Sequence, residues 1–471
     1  MAWYNIISDN FPEVEGPTQK RLAFKEKLKW TLIILVAFFV LSSIPLFGLD
    51  SSNEFRFEQL EVLLGASFGS LMTLGIGPIV TASIVLQLLN GTGMLKFDMT
   101  KPEGKRDFQA LQKVMSLGFI VIEGAIYVFM GGLNPPQQFL GTSLYGTLQF
   151  VLVGQLILGG VLILLMDQVV SKWGFGSGVS LFIAAGVSKQ IFIGLLSPFS
   201  AAAVGGSAVG VAGIFGYPFG IEGPVGKLWV LFYALSIGQS QTFAIALAAI
   251  IATILVFALS VYAQSMKVEL PLSFGRIRGH GIRWPLNFLY TSNIPVILIA
   301  ALLANVQLFT GLFGLDATGI GWINGTFAGG SSFVELIIQG NITMTEIFQA
   351  IGYLAIMMGG AVLFSVFWVQ SAGLDAKSQA KQMMASGLQI PGFRRDQRVL
   401  ERILQRYITP LTVMGGLAIG FLAAVADLSG ALSRGTGILL TVMIIYRLYE
   451  DIAKQHMMDM NPMMRKFMGG Q

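Results

Sequence analysis

The chain has no cysteine among its 471 residues, so disulfide bonds, thiolate metal sites and cysteine nucleophiles are excluded. Charged residues are scarce as well. They make up 12% of the sequence, whereas a water-soluble domain averages about a quarter. With 54% hydrophobic residues, too little polar surface is left to cover the protein in water. We therefore expect much of the surface to face lipid, and the chain to form one membrane-embedded domain rather than several soluble ones.

Catalytic and metal-binding patterns are also missing from the sequence. The two histidines, His280 and His456, are far apart and have no zinc-ligand spacing. We find no glycine-rich phosphate loop ending in Lys-Ser or Lys-Thr, and no constellation of a nucleophile with a base. We therefore expect no catalytic residues, no metal, no cofactor and no enzymatic activity.

Hydrophobic runs predict ten transmembrane helices, since a bilayer core needs about 20 apolar residues in a helix. The predicted spans, numbered 1 to 10 in chain order, are residues 30–49, 75–89, 111–132, 144–166, 179–198, 242–265, 288–310, 345–369, 411–426 and 435–449. The first span follows a polar N-terminus and is long enough to stay in the membrane, so no cleavable signal peptide is expected.

Basic residues orient these spans through the positive-inside rule. They cluster before span 1, in the loops after spans 2, 6 and 8, and in the C-terminal tail, all on one side of the membrane for an even count. The segments on the other side hold only Arg56, Lys227 and Arg434. We therefore expect a multi-pass protein of the plasma membrane with both termini in the cytoplasm.

Two glycine-rich apolar stretches lie between spans without crossing cleanly. They are residues 200–239 and 311–341, and both fall outside in this topology. We expect each of them to re-enter the bilayer in part or to lie on its surface.

The stretch 55–89 is too long for one span, since as a single helix it reaches about 52 Å against a core of about 30 Å. Its middle, residues 74–78, reads Leu-Gly-Ile-Gly-Pro, which breaks a helix. The piece before the break is amphipathic and too short to cross. Broken backbone at membrane depth must be buried in protein or line a cavity. We therefore expect a central cavity holding a short helix, with a simple kinked helix as the alternative.

A matching interruption opens span 7 at Pro295. Spans 2 and 7 are each the second span in a set of five, namely spans 1 to 5 and spans 6 to 10. Because five is an odd number, the second set starts on the other side of the membrane, and the two sets have opposite orientation. Paired interruptions in inverted halves indicate a working site where the halves meet. We place the N-terminal half at 1–198, an external segment at 199–241, the C-terminal half at 242–452 and a cytoplasmic tail at 453–471.

The predicted spans hold few ionisable residues, and Glu123 in span 3 is the clear exception. An ion-coupled secondary transporter with inverted repeats is the rival interpretation, but it needs charged groups at mid-membrane. A membrane protease needs a catalytic set within the spans, whereas Asp167 and Asp427 lie at span ends and far apart in sequence. The breaks instead carry apolar branched residues, which indicate either a dewetted constriction or ordinary packing.

The loops after spans 6 and 8 carry arginines punctuated by glycine, Gly-Arg-Ile-Arg-Gly at 275–279 and Gly-Phe-Arg-Arg at 392–395. The planar guanidinium group suits phosphate or carboxylate partners. These loops indicate either a docking surface or a plain topology signal.

Five short stretches carry a family resemblance. They are residues 74–82 (LGIGPIVTA), 176–178 (GSG), 292–295 (SNIP), 392–395 (GFRR) and 435–440 (GTGILL). Together they resemble the SecY family, the large subunit of the Sec protein translocon, in its archaeal and eukaryotic form. The resemblance covers essentially the whole chain. It implies an all-α fold of ten transmembrane helices, in two inverted five-helix halves around a central pore with a plug helix.

The resemblance also implies roles for individual residues. A plug at about 55–72 would include Phe57, Leu60, Val62, Leu63 and Leu64. An apolar pore ring would comprise Ile76, Val80, Val179, Ile183, Ile297 and Leu440, with Leu439 as the alternative to Leu440. A polar cluster at a lateral gate would comprise Thr81, Glu123 and Asn305. A docking surface for a ribosome or another cytosolic partner would comprise Arg276, Arg278, Arg283, Arg394 and Arg395.

The implied activity is a gated, passive conduit for unfolded secretory chains with signal sequences. Transmembrane segments of the cargo would leave sideways into the lipid bilayer. The implied partners are two small membrane subunits, of the SecE and Sec-beta kinds, and the cytosolic partner that drives transport.

Overall fold

Thirteen α-helices make up most of the residues that the computed structural model describes. Those residues are 10–18, 22–49, 69–91, 94–95, 97, 102–130, 132–198, 226–274, 281–291, 294–312, 325, 327, 331–385, 388–389, 396–433 and 435–460. The helices are α1 (Phe24–Leu41), α2 (Gly77–Gly91), α3 (Pro102–Phe129), α4 (Ser143–Trp173), α5 (Gly178–Leu196), α6 (Lys227–Ile237), α7 (Ser240–Ser265), α8 (Ile294–Leu312), α9 (Phe333–Gln339), α10 (Met344–Ser371), α11 (Ala376–Ala385), α12 (Gln397–Leu428) and α13 (Gly435–Met460).

The ten predicted spans coincide with α1 to α5, α7, α8, α10, α12 and α13. The boundaries differ most at two helices. Helix α1 ends at Leu41 rather than at residue 49, because Pro45 follows closely and disfavours helix in the residue before it. Helix α12 begins at Gln397, well before the predicted start at residue 411. Its first part is polar and amphipathic, and a hydropathy window does not detect such a helix.

Within the described residues, six helices are long and apolar enough to cross a membrane by length and composition: α3, α4, α5, α7, α10 and α12. Their outer faces are apolar. On α7, for example, Ile251, Ile254 and Phe257 are all more than half exposed. Large apolar side chains that are exposed on a bundle of this kind face lipid or another membrane helix.

The two predicted halves meet along two seams. At one seam α2 contacts α8 and α10, and at the other α13 contacts α1 and α5. A single buried apolar cluster draws on helices from both halves.

A three-stranded antiparallel sheet joins the loops after spans 6 and 8, and the hydropathy pattern gives no sign of it. Its strands are β1 (Lys267–Phe274), β2 (Gly281–Asn287) and β3 (Leu388–Gln389), in the order β2-β1-β3. Residue Lys267 lies opposite Asn287, and Phe274 lies opposite Leu388. The all-α prediction therefore holds for the bundle, with this sheet added at one end.

The sheet, the N-terminal segment and the C-terminal end of α13 lie at the same end of the bundle. The Lys267 Nζ atom of β1 is 3.4 Å from Glu450 Oε1 on α13. The Gln455 side chain on α13 donates to the backbone oxygen of Leu22. We call this end, with its N-terminal segment Asn10–Thr18, the basic end, because the described strands that flank two of the predicted basic loops lie there.

The two stretches that were expected to re-enter or lie on the bilayer each contain a described helix. Helix α6 packs against α5 and α7, and α9 packs against α7. Residues 199–225 and most of 313–330 lie outside the described residues.

Candidate functional site

The break before α2 is buried irregular backbone. Residues 69–76 form consecutive turns, Gly75 has a left-handed φ of 53°, and α2 then begins at Gly77 with proline as its next residue. Proline fits the first turn of a helix, where no N–H is needed. Met72 and Leu74 in these turns are almost fully buried. This irregular stretch of backbone is therefore surrounded by protein, which is the condition under which irregular backbone is tolerated at membrane depth.

All six residues of the implied pore ring belong to one apolar cluster. Ile76, Val80, Ile183 and Leu440 are its buried members, and Val179 and Ile297 pack against it partly buried. They come from four elements, since α2, α5, α8 and α13 each contribute at least one, with Ile76 just before α2. Leu439 is buried as well. All six side chains therefore belong to the same apolar core, and their role as a ring stays a prediction.

A polar contact crosses the seam between α2 and α8. The Asn305 side-chain amide on α8 donates a 2.9 Å hydrogen bond to Thr81 Oγ1 on α2. The Thr81 hydroxyl itself donates to the Gly77 backbone oxygen and lies within hydrogen-bonding reach of the Glu123 carboxyl group on α3. The three residues of the implied gate cluster therefore meet at one point, which joins the two halves.

Most of the implied plug and docking residues lie outside the described residues. The plug residues Phe57, Leu60, Val62, Leu63 and Leu64 belong to this group, as do Arg276, Arg278, Arg394 and Arg395. Arg283 lies on strand β2, where it pairs with Pro271 of β1, and its backbone alone is described.

Asp167 and Asp427 lie at the ends of predicted spans, and their sequence context excluded a catalytic pair without indicating another role. In the structure both carboxylates accept hydrogen bonds from the start of the helix that follows, from the backbone N–H of Val179 and of Thr436 respectively. The signal that would have found them is an aspartate near the end of one span followed by Gly-Ser-Gly or Gly-Thr-Gly at the start of the next.

Comparisons with known proteins agree with this architecture. The SecY family model matches residues 70–449. The protein translocase subunit SecY of Methanothermobacter thermautotrophicus is 43% identical, over 97% of this chain and 96% of its own. A solved structure of a protein-conducting channel superposes with a TM-score of 0.77 at 37% identity, covering 96% of this chain and 97% of its own. Sec61 in a canine ribosome-channel complex from the endoplasmic reticulum superposes with a TM-score of 0.74 at 37% identity, again covering 96% of this chain and 97% of its own. The chain therefore belongs to the SecY family and is a multi-pass membrane subunit of a protein-conducting channel, not an enzyme.

Proposed function

We propose that unfolded polypeptide threads an apolar constriction formed by the six ring residues, and that signal sequences and transmembrane segments leave between α2 and α8. The observation that carries the proposal is that the ring residues, which come from both halves, all belong to or pack against one buried apolar cluster. Because the ring residues come from both halves, a constriction that they form can widen when the halves separate.

The apolar character of the ring explains how such a conduit stays closed to ions. A narrow passage lined by branched apolar side chains resists wetting, so it blocks ions without binding them. The same side chains offer no fixed hydrogen-bond pattern, and cargo of any sequence can pass. A buried charge at this level would favour ions or one class of substrate.

The lateral gate is the seam where α2 contacts α8 and α10. Across this seam, the Asn305–Thr81 hydrogen bond gives the closed state a specific polar latch, and such a bond contributes about 1 kcal/mol. When an apolar signal helix enters the seam, packing of that helix against α2 and α8 replaces the packing of α2 against α8, so the packing free energy changes little. The latch is therefore a main part of what the signal must displace.

The plug is the segment at about 55–72, and its last residues, 69–72, form the beginning of the buried turns at 69–76. Those turns are anchored, since the Leu71 backbone N–H donates to Ile44 and the Leu46 backbone N–H donates to Gly69. An anchored end next to the ring residue Ile76 supports a plug that leaves the pore while staying attached.

The docking surface is supported by the sheet at the basic end. The loop carrying Arg276 and Arg278 connects β1 to β2, and the loop carrying Arg394 and Arg395 follows β3. Strands β1 and β3 pair at Phe274 and Leu388, next to the start of both loops. Both basic loops are therefore connected to one sheet, which favours a single docking surface for the phosphate-rich ribosome or an acidic partner. Binding to such a surface is weakened by salt.

The remaining partners and the orientation follow from the same arrangement. The basic end is the cytoplasmic side by the positive-inside rule, in the plasma membrane, with both termini there. The exposed apolar faces, such as that of α7, fit small single-span subunits of the SecE and Sec-beta kinds as well as lipid. The halves 1–198 and 242–452 would move against each other across the external segment 199–241.

Ion leak through the resting channel tests the ring. Ile76, Val80 and Ile183 are replaced together by glycine, and leak is measured in proteoliposomes of the purified channel. We expect leak to rise strongly, because glycine widens the constriction and exposes backbone to water. Ile163→Gly on α4 is the matched control, since Ile163 is fully buried in the same cluster but contributes nothing to the ring. Leak that stays at the control level would discard the ring.

A further inference from the structure

Helix α5 begins without a capping side chain of its own. Ser177 stands at its N-cap position, and its side chain makes no capping bond to the helix. The Asp167 carboxylate on α4 supplies the acceptor, since Val179 donates its backbone N–H to Asp167 Oδ1 at 2.9 Å. The Gly178 backbone N–H and the Ser177 side chain lie within hydrogen-bonding reach of the same carboxylate. The first turn of α5 is therefore tied to α4 by one side chain.

Helix α13 begins in the same way. The Asp427 carboxylate, near the end of α12, accepts the backbone N–H of Thr436 at 2.8 Å and the Thr436 hydroxyl at 3.1 Å. Its other oxygen accepts a 2.6 Å hydrogen bond from Tyr353 Oη on α10. This carboxylate therefore ties the first turn of α13 both to the preceding helix and to α10.

The two contacts share the same arrangement at the start of the helix that each one ties. In each, the carboxylate accepts the N–H of the second helical residue, after a glycine at the first, Gly178 in α5 and Gly435 in α13. Neither glycine leaves room for a side chain. A Cβ at Gly178 would lie 2.6 Å from the Asp167 Cα, and a Cβ at Gly435 would overlap the backbone of Ala426.

The correspondence extends to the two halves. Helices α4 and α5 are fourth and fifth in the first half, and α12 and α13 are fourth and fifth of the spans in the second half. The halves run in opposite directions, so the two contacts lie at opposite ends of the bundle. Both tied helices carry ring residues close to their starts, Val179 and Ile183 in α5 and Leu440 in α13.

We infer that Asp167 and Asp427 are matched positioning residues, each holding the first turn of one pore-lining helix in register so that its ring residues meet at the constriction. The inference rests on the proposed ring. A carboxylate also suits this place electrostatically, because the N-terminus of a helix carries partial positive charge. Neither residue touches cargo, and each acts through the helix that it caps.

Alanine and asparagine variants of both residues test this inference in the purified channel. Asparagine keeps one oxygen acceptor and alanine keeps none. Hydrogen exchange is followed in the first turns of α5 and α13, and ion leak is measured in proteoliposomes. Loss of a cap shifts an opening equilibrium by about fivefold. We expect that increase in first-turn exchange for Asp167→Ala in α5 alone and for Asp427→Ala in α13 alone, with a parallel rise in leak that asparagine largely reverses.

Two controls remove comparable hydrogen bonds close by that do not involve a pore-lining helix start. Gln168→Ala removes the acceptor for the Val14 backbone N–H, and Thr253→Val removes the acceptor for the Leu432 backbone N–H. Unchanged first-turn exchange in both alanine variants, or leak equal to that of the controls, would overturn the inference. The triple glycine ring variant is assayed alongside, so a failure of the ring is recognised separately from a failure of the positioning role.

Discussion

Replacing Asn305 with leucine is expected to loosen the lateral gate. The substitution keeps the size of the side chain and removes the amide that donates to Thr81 Oγ1 at 2.9 Å. The Thr81 hydroxyl keeps its own acceptor, because it donates to the Gly77 backbone oxygen at 2.9 Å. No buried donor is left without a partner, so the loss is close to the net value of one hydrogen bond.

That value is about 1 kcal/mol for a bond between neutral groups. Both side chains are partly exposed, so we take it as an upper value for this pair. A change of this size shifts the equilibrium between closed and open gate by about fivefold. A weak signal sequence, which must supply the opening free energy, benefits most from the shift.

Transport of a secretory protein with a weakened signal sequence into vesicles measures this effect. The matched control is Ser83→Ala. Like Thr81, Ser83 donates to the carbonyl four residues before it and accepts from a side-chain amide. Its partner, however, is Gln112 of α3 in the same half, so its loss leaves the seam intact. Equal transport by Asn305→Leu and Ser83→Ala would refute the latch.

Two further outcomes follow from the basic end. Reversing the charges of Arg394 and Arg395 should weaken ribosome binding and reduce its salt dependence, and unchanged affinity in a sedimentation assay would contradict the docking role. A hydrogen bond and the charge of Lys172 hold the pKa of the Glu13 carboxyl below its ordinary value. A carboxyl group with a lowered pKa stabilises the folded contact at pH values above the ordinary glutamate pKa. This stabilisation is lost as the pH falls through the lowered pKa. A spin label at Gly16, which has open space around it, should therefore move away from α4 on acidification, with a midpoint below the ordinary glutamate pKa. Glu13→Gln should show the longer distance at neutral pH, and a pH-independent distance in the unchanged protein would contradict this assignment.

Much of the bundle could be predicted from the sequence because two strong physical signals agree. Apolar length located the ten helices, and the break at 74–78 located the start of α2. Gly75 adopts a backbone conformation that favours glycine, and Pro78 fits only the first turn, so the break follows from local chemistry. The family resemblance supplied the residue roles, which hydropathy does not contain.

Three features could not be predicted, because long apolar runs in the sequence do not mark them. The sheet depends on pairing between β1 and β3, which are more than a hundred residues apart. The polar start of α12 is stabilised by contacts with α11 at the basic end. The caps from Asp167 and Asp427 pair a side chain with a backbone group nine to twelve residues later, and only the turn between the helices brings them together.

Cross-linking of an arrested nascent secretory chain tests the central claim most directly. Photoreactive residues are placed one at a time at Ile76, Ile183 and Ile297, with Ile254 on the exposed face of α7 as the control. A conduit through the apolar cluster predicts cross-links from all three positions and none from Ile254. Absence of cross-links at the three ring positions, or equal yield from the control, would contradict it.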